Sequence, residues 1–414
     1  MKKQSTSASS TSRVHWEHLD EWVRQQIQRL IQEVLEEEVT EFLGRARSQR
    51  RTRVDLEQGY RNGYGKPRRL TMGAGTVELR RPRVRGTEER FDSRVLPLFA
   101  RRTSKIQELI PTLYLHGLSE GDFDLALRGL LGDEAPVSAS TVARLKERWQ
   151  GEFQGWGRRS LEKLEVVYLW VDGVYVKAGL EKEKAAVLVA LAALTDGTKT
   201  IVAIQPGYRE STESWSALLR DLKSRGMGSP RLVIGDGHLG IWGALRNVFP
   251  EADEQRCWNH KILNVMDRLP KRAHAQARVL LCSIPYEDTR HEAELGRDAF
   301  VIWCRERGYQ AAAETLLRDW DRMVCFYAYP QPHWQHIRTT NPVESPFAAL
   351  RLRTDAAKRY KRVDRATAVM WRLLMVAEQR FRRLNGAQLL PDVYRAPFLV
   401  SEEKERRVVE EVAA

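Results

Sequence analysis

Two aspartates, Asp172 and Asp236, each stand at the end of an apolar run and are each followed by glycine. Asp172 closes LEVVYLWVD and Asp236 closes PRLVIGD. A carboxylate at the C-terminal end of a strand is held rigidly while the next loop opens to solvent, which is where sheet proteins present functional groups. Asp-Gly turns are common, so either aspartate alone carries little weight; two such ends within one sheet carry more. Paired carboxylates suit a hard divalent cation, which takes oxygen ligands and shares them with substrate phosphate and water. Two such ions about 4 Å apart activate an attacking oxygen and stabilise a leaving one in phosphoryl transfer. That chemistry asks for a third carboxylate. Glu344, in HIRTTNPVESPFAALRLRT, follows the turn-like Asn341-Pro342 and opens a helical pattern, with Arg338, Arg351 and Arg353 nearby to meet phosphate. On spacing alone it is one candidate among many.

The elements that must position these groups follow from periodicity. From Val166 onward, VVYLWVD, AAVLVALAAL, TIVAIQP and RLVIGD are short apolar runs rich in valine and isoleucine, the pattern of buried strands. A helix over Glu213–Arg225 separates the third from the fourth. Residues 257–330 read as mostly helical, and helical periodicity returns over Glu344–Leu352 and Ala366–Leu384. The expected fold class is α+β or α/β, a mixed β-sheet with an inserted or appended helical block. Ahead of it, apolar positions from Trp16 to Leu43 recur at three and four, giving one long amphipathic helix with a face for self-association. Gly44 sits where a C-cap glycine belongs, and residues 1–13 read as a disordered tail. Residues 45–103 read as a basic arm, mobile around RNGYGKPRR. Within it, Thr76–Val84 is expected as a strand with an arginine-lined face of Arg80, Arg81 and Arg83. Over 104–160 three short helices are expected. The turn between the last two falls at Gly132–Val137, and Ser138 or Ser140 caps SASTVARLKERWQ, the helix that carries Arg144 and Lys146. Helix, short turn and capped basic helix is the helix-turn-helix pattern; an ordinary three-helix packing unit has the same outline.

The 414 residues hold 68 Lys+Arg against 55 Asp+Glu, a net charge of +13. The excess is concentrated. Residues 45–105 contain 18 basic and 6 acidic side chains and residues 350–385 contain 11 and 3, whereas 17–41 is acidic, with 8 against 2. Two basic segments on a nearly neutral body form a footprint for a polyanion. The longest clean apolar run, Ala185–Leu194, is too short to span a bilayer, and no apolar stretch follows the two N-terminal lysines, so neither membrane span nor signal peptide is expected. Four cysteines (Cys257, Cys282, Cys304, Cys325) make no disulfide framework and no CxxC cluster, which points to a reducing cytoplasm.

Five ordered segments resemble the Mutator-type transposases of bacterial insertion sequences: LWVDGVYVKAGLEKEKAAVLVALAALTDGTK, RESTESWSALLRDLKSRGM, RLVIGDGHLGIWGAL, FPEADEQRCWNHKILNVMDRLPK and HWQHIRTTNPVESPFAALRLRT. The similarity runs from about Arg61 to about Leu390. It implies an RNase H-like core over 161–269 and 336–390, an all-helical insertion over 270–335, a preceding helix-turn-helix-like DNA-binding region, and a C-terminal tail over 391–414. It implies a DDE triad of Asp172, Asp236 and Glu344 that holds two Mg2+ (or Mn2+) ions. The implied partners are double-stranded DNA, as terminal inverted repeats and as target, and a second copy of the chain in a homodimer or higher oligomer, in a bacterial cytoplasm beside the nucleoid. Lys177 and Lys261 join the arginines as expected DNA contacts.

The resemblance also brings a Cys-x-x-His signature, matched by Cys257 and His260, expected at a strand-to-helix edge beside the acidic site, where they organise it or touch DNA. Zinc, completed by His333 and His336, is a competing reading, but an isolated CxxH lacks a second pair in diagnostic spacing, and packing is preferred for His333 and His336. Trp258 and Trp334 offer stacking faces for an unpaired base, although twelve tryptophans make core packing the default. Three rival functions stay open: a catalytically silent DNA-binding regulator, an RNase H-like nuclease that cuts without joining, and a serine or tyrosine recombinase, for which no nucleophile is marked.

Overall fold

The computed structural model describes residues 16–49, 59–118, 122–131, 139–178, 185–207, 211–237, 239–357 and 360–398. The expected N-terminal tail, the turn at 132–138 and its Ser138 cap, and the chain beyond 398 lie outside the described residues. Two compact units divide the chain, Met1–Arg144 and Leu145–Ala414.

In the first unit, α1 (Leu19–Leu43) stops at Gly44, whose left-handed φ of +62° lets its N–H turn back onto the Glu41 carbonyl. The segment read as an arm is instead built. It forms β1 (Tyr60–Tyr64), β2 (Arg68–Met72), β3 (Gly75–Leu79) and β4 (Pro82–Arg85), paired antiparallel as β1 with β4 and β2 with β3. The expected strand over Thr76–Val84 is broken into two at Arg80 and Arg81. The composition misled because every second residue of β2 and β3 is apolar only over a short stretch. Leu70, Val77 and Leu79 nevertheless close a small core with Leu35 of α1 and Leu96. Buried Glu38 of α1 accepts hydrogen bonds from Ser93 Oγ (2.5 Å) and the Arg94 N–H (2.8 Å), satisfying its carboxylate. Helices α2 (Ser104–Leu115) and α3 (Asp122–Leu131) follow, and α4 (Ala139–Gly157) carries the chain into the second unit.

The second unit is organised by five strands: β5 (Val166–Val176), β6 (Ala185–Leu194), β7 (Lys199–Gly207), β8 (Leu232–Gly235) and β9 (Asp253–Arg256). They lie in the order β7-β6-β5-β8-β9. The first three are antiparallel neighbours; β8 and β9 are parallel to β5. The parallel strands need crossovers, and α5 (Thr212–Ser224) and α6 (Leu239–Val248) supply them. Side chains alternate along β5. Leu169 and Val171 enter a core with Trp215 and Leu218 of α5 and Ile241 and Trp242 of α6.

Beyond α6 the chain runs through α7 (Trp258–Met266), α8 (His274–Ser283), α9 (Arg290–Glu306), α10 (Gln310–Leu317), α11 (Trp320–Val324) and α12 (Gln331–Ile337). It then returns to the sheet with α13 (Asn341–Glu344), α14 (Phe347–Ala356), α15 (Val363–Glu378) and α16 (Leu390–Arg395). The face of β5 opposite the α5–α6 core meets α12: Tyr168 Oη and His333 Nδ1 lie 2.7 Å apart, and Trp170 Nε1 donates to the His336 carbonyl at 3.0 Å. Asp172, two residues past Trp170, belongs to that same face. Among the described residues, no helix is long and apolar enough to cross a membrane.

Candidate active site

Strand register brings the two aspartates together. The parallel pairing of β5 with β8 sets Tyr168 against Leu232, Leu169 against Val233 and Trp170 against Ile234. Continued two residues past that pairing, the register carries Asp172 and Asp236 to the same end of the two strands, close enough for the charge of Asp236 to act on Asp172. The expectation that Asp172 ends its strand is corrected here. Asp172 pairs with Val189 of β6, and that antiparallel ladder keeps β5 extended as far as Val176. What ends at Trp170 is the pairing with β8. The carboxylates therefore occupy the mouth where two parallel strands part, and Asp236 follows directly on Gly235, the last residue of β8.

The third carboxylate arrives through backbone stitching. Cys257, between β9 and α7, donates its N–H to the Gly235 carbonyl (2.7 Å), and the Trp258 N–H reaches the Arg338 carbonyl (3.0 Å). Thr340 closes the join. Its N–H donates to Cys257 Sγ at 3.3 Å; its hydroxyl lies 3.1 Å from Sγ and 3.4 Å from His260 Nδ1, and donates to Glu344 Oε1. Asn259 Nδ2 donates to Asn341 Oδ1 (2.9 Å). Glu344 thus sits at the end of α13 rather than opening the longer helix, because Ser345 and Pro346 separate α13 from α14. Cys257 and His260 lie on the strand-to-helix edge, with His260 Nδ1 3.8 Å from Glu344 Oε1.

Electrostatics bind these groups into one site. Burial, followed by the negative charges of Glu344 and Asp236, raises the Asp172 carboxyl to about 7, against the opposing pull of the Gly173 N–H (2.8 Å) and of His260. His260 is raised to about 9, first by its hydrogen bond to Cys257 and then by the charges of Cys257, Glu344 and Asp236. Three half-buried carboxylates, all hard oxygen donors, fit a divalent cation such as Mg2+ or Mn2+.

Beside Asp236 opens a cleft of about 690 Å3 lined by Arg256, His260, Lys261, Arg268 and Arg318. Arg256, Lys261, Arg268 and Arg318 outnumber the two acidic side chains of the lining, Asp236 and Asp267, so an anion such as phosphate suits it. The cations are braced from behind. Asp319, at a left-handed φ of +64°, pairs with Arg256 (2.5 Å), Lys261 (3.7 Å) and Arg322 (3.0 Å). Lys261 is only 1 % exposed, and burial pulls its ammonium down to about 7. Arg256 passes over Gly237, the residue after Asp236. A Cβ there would meet Arg256 Nε at 2.2 Å, and Gly237 has φ +95°. Gly237→Ala is therefore expected to displace Arg256 and strain the loop that carries Asp236. The expected result is a loss of about 1–2 kcal/mol of stability from the backbone alone, which thermal unfolding checks.

The remaining expected contacts divide by exposure. Lys177, just past β5, and Arg351, on α14, are exposed. Arg338 donates to the Pro285 carbonyl (2.8 Å) and stacks over Tyr286. Arg353 is corrected: at 2 % exposure it faces the interior, because α14 turns Phe347, Leu350 and Arg353 inward together. Lys261 is likewise an interior cation at the cleft wall rather than a surface contact. In the first unit, Arg80 and Arg83 are exposed and Arg81 pairs with Asp92 (2.7 Å). Arg81 and Arg83 line a separate cleft of about 420 Å3 together with Lys66, Arg68, Arg85 and Arg90. Arg144 is exposed and Lys146 half-buried on α4. Trp258 is fully buried, donating to the Met323 carbonyl, and Trp334 donates to the Tyr329 carbonyl, so both are packing residues. His333, between Tyr168 and the Gly386 carbonyl, and His336, which accepts the Asn385 N–H, are also engaged away from Cys257. Sequence reasoning passed over Thr340, Arg256 and Asp319; a threonine four residues before Glu344 carries no signal until the register is known.

The family model for transposases of the Mutator family matches residues 1–382. The transposase of insertion sequence element IS6120 from Mycolicibacterium smegmatis is 45% identical over 285 residues, which cover 69% of this chain and 88% of that protein. The transposase of element IST2 from Acidithiobacillus ferrooxidans is 38% identical over 262 residues, 62% of this chain and 87% of that one. The transposase of element ISRM5 from Rhizobium meliloti is 27% identical over 372 residues, 88% and 89% of the two chains.

Proposed function

The chain belongs to the Mutator family of transposases, and from that membership we propose that it cuts and joins DNA at the ends of an insertion sequence through a DDE site made of Asp172, Asp236 and Glu344. The observation that carries this reading is the placement of the three carboxylates: Asp172 and Asp236 at the same end of the adjacent parallel strands β5 and β8, and Glu344 on α13, which Thr340 and Cys257 tie to the end of β8. The mixed five-stranded sheet supports an RNase H-like core, with the helices between α7 and α13 as its insertion. Helices α3 and α4 support a helix-turn-helix-like DNA reader, and the arginine cleft of the first unit supports binding of the terminal inverted repeats.

Asp172, Asp236 and Glu344 would hold two divalent ions. Such ions, when bound, polarise a phosphodiester and lower the pKa of an attacking water. The chain's own residues do the rest. Thr340 orients Glu344 by donating to Oε1, and protonated His260 steadies the same oxygen through Nδ1. Arg256 and Arg318 hold phosphate beside Asp236. Water attacks one phosphodiester at the element end, the P–O bond to the 3′ oxygen breaks, and a 3′-OH is released. That 3′-OH then attacks a second phosphodiester, forming one P–O bond and breaking another, with no covalent protein–DNA intermediate. Two ends must be handled together, so the working form is at least a dimer.

A labelled DNA carrying the element's terminal repeat, incubated with Mg2+ and an unlabelled target duplex, separates the rivals. Joined products with covalent linkage of the repeat to target are expected. Cut ends that are never joined would identify a nuclease instead, and specific binding with neither product would identify a DNA-binding regulator.

A further inference from the structure

Glu344 has a second set of neighbours. Cys257 Sγ, His260 and a Glu344 carboxylate oxygen all lie within 4.8 Å of one another. They converge on the Thr340 hydroxyl, which touches each of them. That hydroxyl has a single proton to give and cannot satisfy the sulfur and the carboxylate at once. Cys257 is fully buried, and the Gly235 carbonyl holds its backbone, so the sulfur cannot swing out to solvent.

Sulfur, imidazole nitrogen and carboxylate oxygen form a donor set for a borderline-soft divalent cation rather than for Mg2+. In a tetrahedral zinc site with bonds of about 2.0–2.3 Å, neighbouring donor atoms sit about 3.3–3.8 Å apart. His260 Nδ1 and Glu344 Oε1 already stand at 3.8 Å. Closing the rest needs a movement of about one ångström, within the reach of a half-buried glutamate and histidine. Three protein donors are also the number found in zinc sites that keep a fourth position open for water or substrate, whereas structural ones close with four. His333 and His336, the pair the sequence suggested to complete such a site, are engaged elsewhere; the third donor is Glu344 of the proposed triad itself.

We propose that Cys257, His260 and Glu344 form a binding site for a thiophilic divalent cation, zinc being the biological candidate, and that occupation of this site withdraws Glu344 from Asp172 and Asp236. The binding step stands by itself; the consequence for cleavage rests on the DDE reading above. On binding, the Cys257 thiol and the His260 imidazolium each release a proton to buffer, and sulfur–metal, nitrogen–metal and carboxylate–metal bonds form with no change of oxidation state.

The test is a titration of the full, reduced, metal-free chain with Cd2+ in excess Mg2+, followed by the ultraviolet thiolate-to-cadmium absorbance. One equivalent of Cd2+ per chain is expected, undiminished by Mg2+. The band is expected to vanish in Cys257→Ser and to weaken at least tenfold in affinity in Glu344→Gln and His260→Gln, while Cys282→Ser and Cys325→Ser leave it unchanged. Because Cys257 is buried, circular dichroism of each variant accompanies the titration, and the Glu344→Gln result decides the matter should Cys257→Ser not fold. A band that survives Cys257→Ser, or that Glu344→Gln leaves unaltered, overturns the proposal. DNA cleavage plays no part in this readout, so failure of the cleavage reading and failure of the cation site are told apart.

Discussion

Asp172→Asn is expected to abolish strand cleavage, leave binding to the terminal repeat nearly intact, and make the ion-free protein harder to unfold. The first effect follows from chemistry. A carboxylate that holds a catalytic divalent ion supports several kcal/mol of transition-state stabilisation, so its loss costs about a thousandfold or more in rate. The second follows from placement, since Asp172 lies on the sheet while repeat binding is assigned to the arginine cleft of the first unit and to α3 and α4. The third follows from the site's electrostatics. The folded-state pKa of about 7 lies above the ordinary aspartate value of 3.8. Between those values the folded protein binds a proton that the unfolded chain releases, so stability is fully present below pH 3.8 and is lost as pH rises through 7. At pH 8 the wild type carries that whole cost, a few kcal/mol at about 1.4 kcal/mol for each pH unit. Asparagine cannot ionise, and its Oδ1 still accepts the Gly173 N–H. Melting curves at pH 5 and pH 8 without divalent ions should lie closer together at the lower pH and separate further at the higher, the variant there melting several degrees above wild type, at about 2–4 °C per kcal/mol. Parallel loss of binding and cleavage, with a lowered melting temperature, would make Asp172 a structural residue.

Asp319→Asn is expected to produce the largest loss of stability of any single charge removal described here. Arg256, Lys261 and Arg322 all lean on this carboxylate, and the three side chains are 11 %, 1 % and 10 % exposed. Arg322 retains Glu254 as a second partner. Arg256 and Lys261 show no other ion pair among the described residues. Removing one member of a buried ion cluster strands the others and costs about 3–5 kcal/mol. Asparagine tolerates the left-handed φ of +64° that Asp319 adopts, so the substitution tests charge rather than backbone. The comparison is Asp321→Asn, two residues along, whose pair with Arg290 is 3.4 Å long and half-exposed; there the expected loss is below about 1 kcal/mol. Denaturant unfolding of the two variants measures the difference. An Asp319→Asn loss no greater than that of Asp321→Asn would mean the cluster is not what braces Arg256 and Lys261 at the cleft.

The residues of the site were far more legible in the sequence than the way they meet. Asp236 could be placed because RLVIGD is short, apolar and stopped by glycine, which is how a buried parallel strand ends. Asp172 was found by the same signal for a partly wrong reason, since LWVDGVYV continues as strand and only its pairing with β8 ceases. No local pattern carries that information; it lies in the register between segments more than sixty residues apart. Cys257 and His260 were placed at a strand-to-helix edge, where they lie, and Thr340, the group that ties them to Glu344, has no sequence mark at all. The basic stretch around Arg68 and Arg83 was legible as charge and illegible as strands, because arginine-rich sequence with glycine and proline reads as loop until a few alternating apolar residues find a core. Arg353 failed as a DNA contact for the opposite reason: a charge on a helix says nothing of which face is buried.

The measurement that tests the central claim most directly is nicking of a labelled duplex carrying the element's terminal repeat, by wild type and by Glu344→Gln, each in Mg2+ and in EDTA. A nick at the repeat boundary in wild type with Mg2+ alone, absent from the other three reactions, is the expected result. Nicking by Glu344→Gln at the wild-type rate, or nicking by wild type in EDTA, would contradict a metal-dependent site built on Asp172, Asp236 and Glu344.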